Sequence, residues 1–184
     1  MAKIGLSNFY YALNTADVLA GATYGVPVKI AGLIAADIKA GSDTATLFAD
    51  NGPAETATAL GEITVDIELK DLLLEDQAAL LGHKIVAGVM ESNADDVAPY
   101  VAIMFESLKS NGKKRFVKLL KGSFAEPDDT NKTKEDKISF QTQKISGKFI
   151  IREFDGAWKK TTDEDAVGYL PATGAGWYAA IEPV

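Results

Sequence analysis

The stretch Glu62–Lys70, EITVDIELK, decides the fold. Ile63, Val65, Ile67 and Leu69 fall on one side of an extended chain. Glu62, Thr64, Asp66, Glu68 and Lys70 fall on the other. Successive side chains of a strand point to opposite faces, so this is a strand with one buried face and one wet face. Such clean alternation belongs to antiparallel sheets, in which one face commonly meets water. On the C-terminal side, Leu73–Leu81 switches to a helical period, with Leu74, Ala78 and Leu81 on one stripe and Gly82 as a stop. One short flanking helix is expected there.

Further out, Ala98–Lys109 and Lys113–Phe124 flank Ser110-Asn111-Gly112, and Asn-Gly between apolar runs predicts a hairpin. Its first arm carries Val101, Ile103 and Phe105 on one side and Ala102, Met104 and Leu108 on the other, so both faces are expected to be covered. Lys3–Leu13 reads as a strand closed by Asn14-Thr15-Ala16-Asp17. Val26–Lys39 reads as another, with Pro27 at its start and a bulge at Gly32. Ile138–Phe154 reads as a long last strand, bulged at Gly147. Two long polar loops are expected. Ala40–Gly61 contains Asp50-Asn51-Gly52-Pro53, with room for a short strand over Thr44–Ala49. Ala125–Lys137 has no apolar residue beyond Ala125 and Pro127. After Asp155 the pattern fades into an irregular tail that packs by its aromatics. The pattern predicts one mainly β domain over residues 1–184. Its form is a sandwich or partly closed barrel of antiparallel strands with one short helix.

Composition narrows the function. The 184 residues include no cysteine, which removes disulfides, thiolate metal sites and cysteine nucleophiles. The N-terminal residues do not read as a signal peptide, and no apolar run nears the ~20 residues of a membrane helix. A net charge of −7 disfavours tight binding to nucleic acid. The one histidine, His83, has no second histidine at metal spacing and reads as structural. Phosphate-cradling glycine motifs are missing. The acidic clusters Glu75-Asp76, Asp95-Asp96, Asp128-Asp129 and Asp163-Glu164-Asp165 sit where turns or a helix start favour solvated acids. No enzyme, cofactor or metal is therefore expected.

Three collinear segments carry a resemblance across nearly the whole chain: Ala49–Leu72 (ADNGPAETATALGEITVDIELKDL), Asp95–Phe124 (DDVAPYVAIMFESLKSNGKKRFVKLLKGSF) and Thr133–Lys159, from TKEDKISFQTQKISGKF through REFDGAWK. With IGLSNFYYAL at the front, the chain resembles the major tail protein family, the tail tube subunits of long-tailed, siphovirus-type phages and prophages. The resemblance implies a β-sandwich with a flanking helix, similar to the type VI secretion tube protein. It also implies hexameric rings stacked into a hollow tube. The implied partners are further copies of the chain, a tape-measure protein, and the tail-tip and tail-terminator proteins. DNA would pass through the lumen without specific binding. The place of work would be the virion tail, assembled in the bacterial host cytoplasm, with no membrane partner. Some relatives carry a C-terminal immunoglobulin-like domain, and none is expected here.

Within that frame, Glu62, Thr64, Asp66, Glu68 and Lys70 are the candidate lumen-facing set. A lining that passes DNA is expected to be acidic or neutral. The two loops are the candidates for stacking between rings, through Asp50, Asn51, Gly52 and Glu55 in the first and Asp128, Asp129, Lys132, Lys134 and Glu135 in the second. The alternatives are another tail ring component (a terminator or tail-tip protein), a small β-barrel binding module, or a hydrolase using clustered carboxylates.

Overall fold

The computed structural model describes residues 1–49, 52–129, 133 and 141–182. Eleven strands and two helices are present among the described residues: β1 (Lys3–Val18), β2 (Gly21–Tyr24), β3 (Val28–Ile30), β4 (Leu33–Ala49), β5 (Gly52–Leu69), α1 (Leu74–Leu81), β6 (Lys84–Val86), β7 (Val89–Glu91), β8 (Val101–Lys109), β9 (Lys114–Phe124), β10 (Gln143–Phe149), β11 (Lys159–Asp163) and α2 (Pro171–Ala175). The protein is mainly β and antiparallel. Nine strands form one sheet whose main path runs β2-β1-β8-β9-β10-β5-β4, with β3 paired to β1 and β11 to β9. β6 and β7 form a separate two-stranded sheet.

Alternation places the main core. Ile63, Val65, Ile67 and Leu69 of β5 are buried together with Val101, Ile103 and Phe105 of β8. Phe9 and Tyr11 of β1, Val117 and Leu119 of β9, and Ile145 and Phe149 of β10 join them. Each fully buried aliphatic or aromatic side chain contributes roughly 1.5–3 kcal/mol. Ala102 and Met104, on the other face of β8, pack in a second cluster with Ala12, Leu120 and Ile181. The expectation that β8 is covered on both faces therefore holds, and the second cover is the C-terminal segment. β1, second on the main path, and β4, at its far end, approach each other without pairing. A cleft opens between them.

Several expectations need correction. Residues Ala40–Gly61 were expected to be a loop. The described residues among them, 40–49 and 52–61, are instead strand, since β4 and β5 pair from Leu33↔Leu69 out to Ala49↔Gly52. Threonine and alanine at directly opposed positions, such as Thr44↔Thr58 and Ala45↔Ala57, let the chain pair without a core to bury into. The strand expected over Val26–Lys39 is broken at Gly32, whose φ of +87° ends β3. β1 runs through Asn14–Asp17 to Val18, past its expected end. The Asp17 carboxylate accepts bonds from Lys121 (2.6 Å), Glu153 N–H (2.8 Å) and Phe154 N–H (3.1 Å), and this tertiary anchoring overrides local turn preference.

At Gly147 there is no bulge: it pairs in register with both Val65 and Phe124. The last long strand is β10 alone, ending at Phe149; residues 138 and 139 and Phe140 lie outside the described residues. The tail is less irregular than expected. β11 pairs with β9, and Asp163 lies directly opposite Arg115. The Asn111-Gly112 hairpin forms, but only Gly112 has positive φ, with Gly112 N–H on Lys109 O and Lys109 N–H on Lys113 O. Helix α1 ends at Gly82 as expected, with φ +80°. Its buried residues are Ala78, Leu80 and Leu81, whereas Leu74 is exposed. α2 is a second short helix where one was expected.

Candidate assembly surface

β5 presents Glu62, Thr64, Asp66 and Glu68 outward, as the alternation required, and Lys70 follows one residue past its end. Glu62 and Lys70 are exposed and Thr64, Asp66 and Glu68 half-exposed. The neighbouring strands answer their charges. Lys39 of β4 meets Asp66 at 2.9 Å, and Ser146 of β10 donates to the same carboxylate at 2.7 Å. Thr142 donates to Glu68 at 2.6 Å, Lys144 stands 3.7 Å from it, and Lys148 pairs with Glu62. Asp66 is held below the usual carboxylate range, first by the bond from Lys39 and then by that from Ser146. Register also places Asp37 on this face, opposite Asp66. Four acids (Asp37, Glu62, Asp66, Glu68) then stand against four bases (Lys39, Lys70, Lys144, Lys148), a formal sum of zero. The expected acidic or neutral face is thus formally neutral, a polar surface of ion pairs each worth little by itself.

The outer part of β4 and β5 is a two-stranded arm. From Gly41 to Leu47 and from Glu55 to Leu60 every residue is exposed, so none of the other described residues covers either face. Leu47 is 61% exposed and Leu60 46%. Gly41 and Gly61 stand at its base, where a Cβ on Gly41 would lie 3.3 Å from the Glu62 carbonyl. Among the described residues no strand pairs with the outer edge of β4, so seventeen residues of strand end the sheet. Gly52 closes the arm's hairpin and Glu55 is exposed on it. Asp50 and Asn51 lie outside the described residues, as do Lys132, Lys134 and Glu135. Asp128 and Asp129 follow β9 in a segment without regular structure.

Two clusters escaped the sequence reading. His83, buried after α1, has Nδ1 2.8 Å from Asp96 and Nε2 2.9 Å from Glu126. Carboxylates only accept, so a ring bonded at both nitrogens is the imidazolium. The bond to Asp96, then that to Glu126, raises its pKa. His83 thus joins the end of α1 to two distant segments.

The second cluster fixes the C-terminal segment. Arg152, with its side chain fully buried, donates to Asp155 at 2.7 and 2.6 Å, to Tyr24 Oη at 3.3 Å and to Glu182. Lys160 adds a 2.9 Å bridge to Glu182. Lys118 donates to the Ala180 and Ile181 carbonyls at 2.7 and 3.1 Å, and burial lowers its pKa to about 8. The acids expected to be merely solvated are partly engaged as well. Asp163 makes a two-point bond with Arg115 (2.6 and 2.6 Å) and accepts from Lys109 at 2.7 Å. Arg115 first, and Lys109 after it, hold its carboxyl well below the usual range. Pairings between residues this far apart in sequence leave no periodic trace.

No helix among the described residues is long and apolar enough to cross a membrane. Compared with known proteins, the chain matches no family model and no curated protein.

Proposed function

We propose that this chain is the tube subunit of a long phage tail, a structural protein that works by closing rings with copies of itself and stacking them into a hollow conduit for DNA. The observation that carries the reading is the arm. An isolated two-stranded ribbon is marginal in water, so one exposed on both faces calls for a covering partner. The open edge of β4 supports the same reading. A long bare edge invites pairing with another chain, and ring closure removes it. The neutral wet face of β5 supports its place at the lumen, since ion-paired carboxylates and lysines offer DNA no net attraction. The resemblance to tail tube subunits supplies the partners: a tape-measure protein, a tail-tip template and a terminator.

The test is negative-stain microscopy and light scattering of purified protein at high concentration, beside a variant in which residues 43–59 are replaced by Asn-Gly. The inner pairing of β4 with β5, Leu33↔Leu69 to Ala40↔Ile63, is kept in that variant. The expected result is tubes or six-fold rings from the full chain and soluble, unassembled subunits from the variant. A full chain that stays monomeric even with its tail-tip partner overturns the proposal. Tubes from the shortened variant overturn the role of the arm.

A further inference from the structure

We infer that the cleft between β1 and β4 is the receptor for the arm of a second copy of this chain. The inference rests on the self-assembly reading above and names the surface that meets the arm.

Charge and shape both point this way. Between Gly41 and Gly61 the sequence holds three acids, Asp43, Asp50 and Glu55, and no lysine or arginine. The pairings Asp43↔Ala59, Ala45↔Ala57 and Leu47↔Glu55 gather these six residues on one face of the arm, two acids among small and aliphatic side chains. The cleft has the opposite character. It is a space of about 430 Å³ with Ile38 and Phe105 among its walls and Lys3, Arg115 and Lys159 at its rim against one acid, Asp37.

Among the described residues Lys3 and Lys159 have no ion pair, in a protein whose net charge is −7. Lys159 is an exposed residue, yet desolvation of its ammonium and then the charges of Lys3 and Arg115 lower its pKa. Arg115 is already paired with Asp163, so Lys3 and Lys159 are the cations left to favour an incoming carboxylate. The arm cannot fill its own cleft. Leu47 lies nine residues beyond Ile38 on the same strand, which at ~3.4 Å per residue is about 30 Å away.

The chain has no cysteine, so a cross-link reports the contact cleanly. Ala57→Cys on the arm and Thr161→Cys at the cleft are made in separate preparations, mixed, and oxidised. Both positions avoid the core. The mixed disulfide dimer is expected at least tenfold faster than in a control pairing Ala57→Cys with the exposed Ser92→Cys. Adding Lys159→Glu to the cleft chain is expected to remove that advantage, and Glu55→Lys on the arm chain to restore it. Cross-linking at the control rate, or unmoved by Lys159→Glu, overturns the inference. Tubes without the cross-link overturn the receptor and leave the tube reading standing. The cross-link without rings or tubes keeps the receptor and overturns the tube reading.

Discussion

Replacing Arg152 by methionine isolates the energetic role of the C-terminal segment. Methionine keeps much of the volume but removes the charge and every donor. Arg152 makes two bonds to Asp155, one to Tyr24 and one to Glu182, with no solvent reaching its side chain. Removing one partner of a buried ion pair costs roughly 3–5 kcal/mol, because the remaining charge is stranded. Here the stranded acids rewet in part, since the side chains of Asp155 and Glu182 are 34% and 29% exposed. The low end, about 3 kcal/mol, is therefore expected. For a chain of this size 1 kcal/mol moves the melting temperature by about 2–4 °C, so a fall of roughly 6–12 °C should appear in thermal unfolding followed by circular dichroism. Amide exchange at Ile181 should accelerate in parallel, as its side chain leaves the second cluster. The variant Glu182→Gln should show a smaller loss, and the double variant less than the sum of the two. A fall below 2 °C with unchanged exchange at Ile181 would refute the claim that this ion network fixes the tail.

Two further predictions follow from the charged clusters. His83 has a raised folded pKa, so its contribution is fully present below the unfolded value of about 6.5 and is lost as pH rises through the folded value. Denaturant titrations from pH 5.5 upward should show a loss on the order of 1–2 kcal/mol from its charge-assisted bonds, and His83→Ala should abolish that slope; an equal slope in both proteins counts against the imidazolium bridge. On the wet face of β5, Asp66→Lys with Glu68→Lys turns a formal sum of zero into +4 per subunit (two acids lost, two bases gained). If that face lines a lumen, phage carrying the change should eject DNA more slowly in a fluorescence ejection assay, and unchanged kinetics reject the lumen assignment.

Elements that bury a face were legible in the sequence, because burial writes a period. EITVDIELK, the doubly apolar β8, and the helix ending at Gly82 all appear where residue spacing placed them. Elements held by distant partners were not legible. β11 is a strand because Asp163 finds Arg115 across the sheet, and nothing in KKTTD alone announces it. The extension of β1 through Asn14–Asp17 depends on Lys121 and on two backbone donors more than a hundred residues away. His83 was read as structural, and the two carboxylates that bond its ring come from segments 13 and 43 residues distant.

The arm was misread for a different reason, and that reason bears on function. Turn signals and small polar residues over Ala40–Gly61 looked like a loop because no apolar face repeats there. The segment is nonetheless paired almost throughout. A ribbon without an apolar face gains nothing from this chain's own core, so its hydrogen bonds alone would hold it against water. Selection for a stable monomer gives no reason to build thirteen such exposed residues beyond the sheet. A partner surface gives one. One face of alanine and leucine with two acids, and another of threonine, are apolar enough to be covered and polar enough to stay soluble before they are. The absence of a core-facing period, joined to a long in-register pairing, is therefore what the proposed self-assembly requires of a strand pair that a second copy would bury.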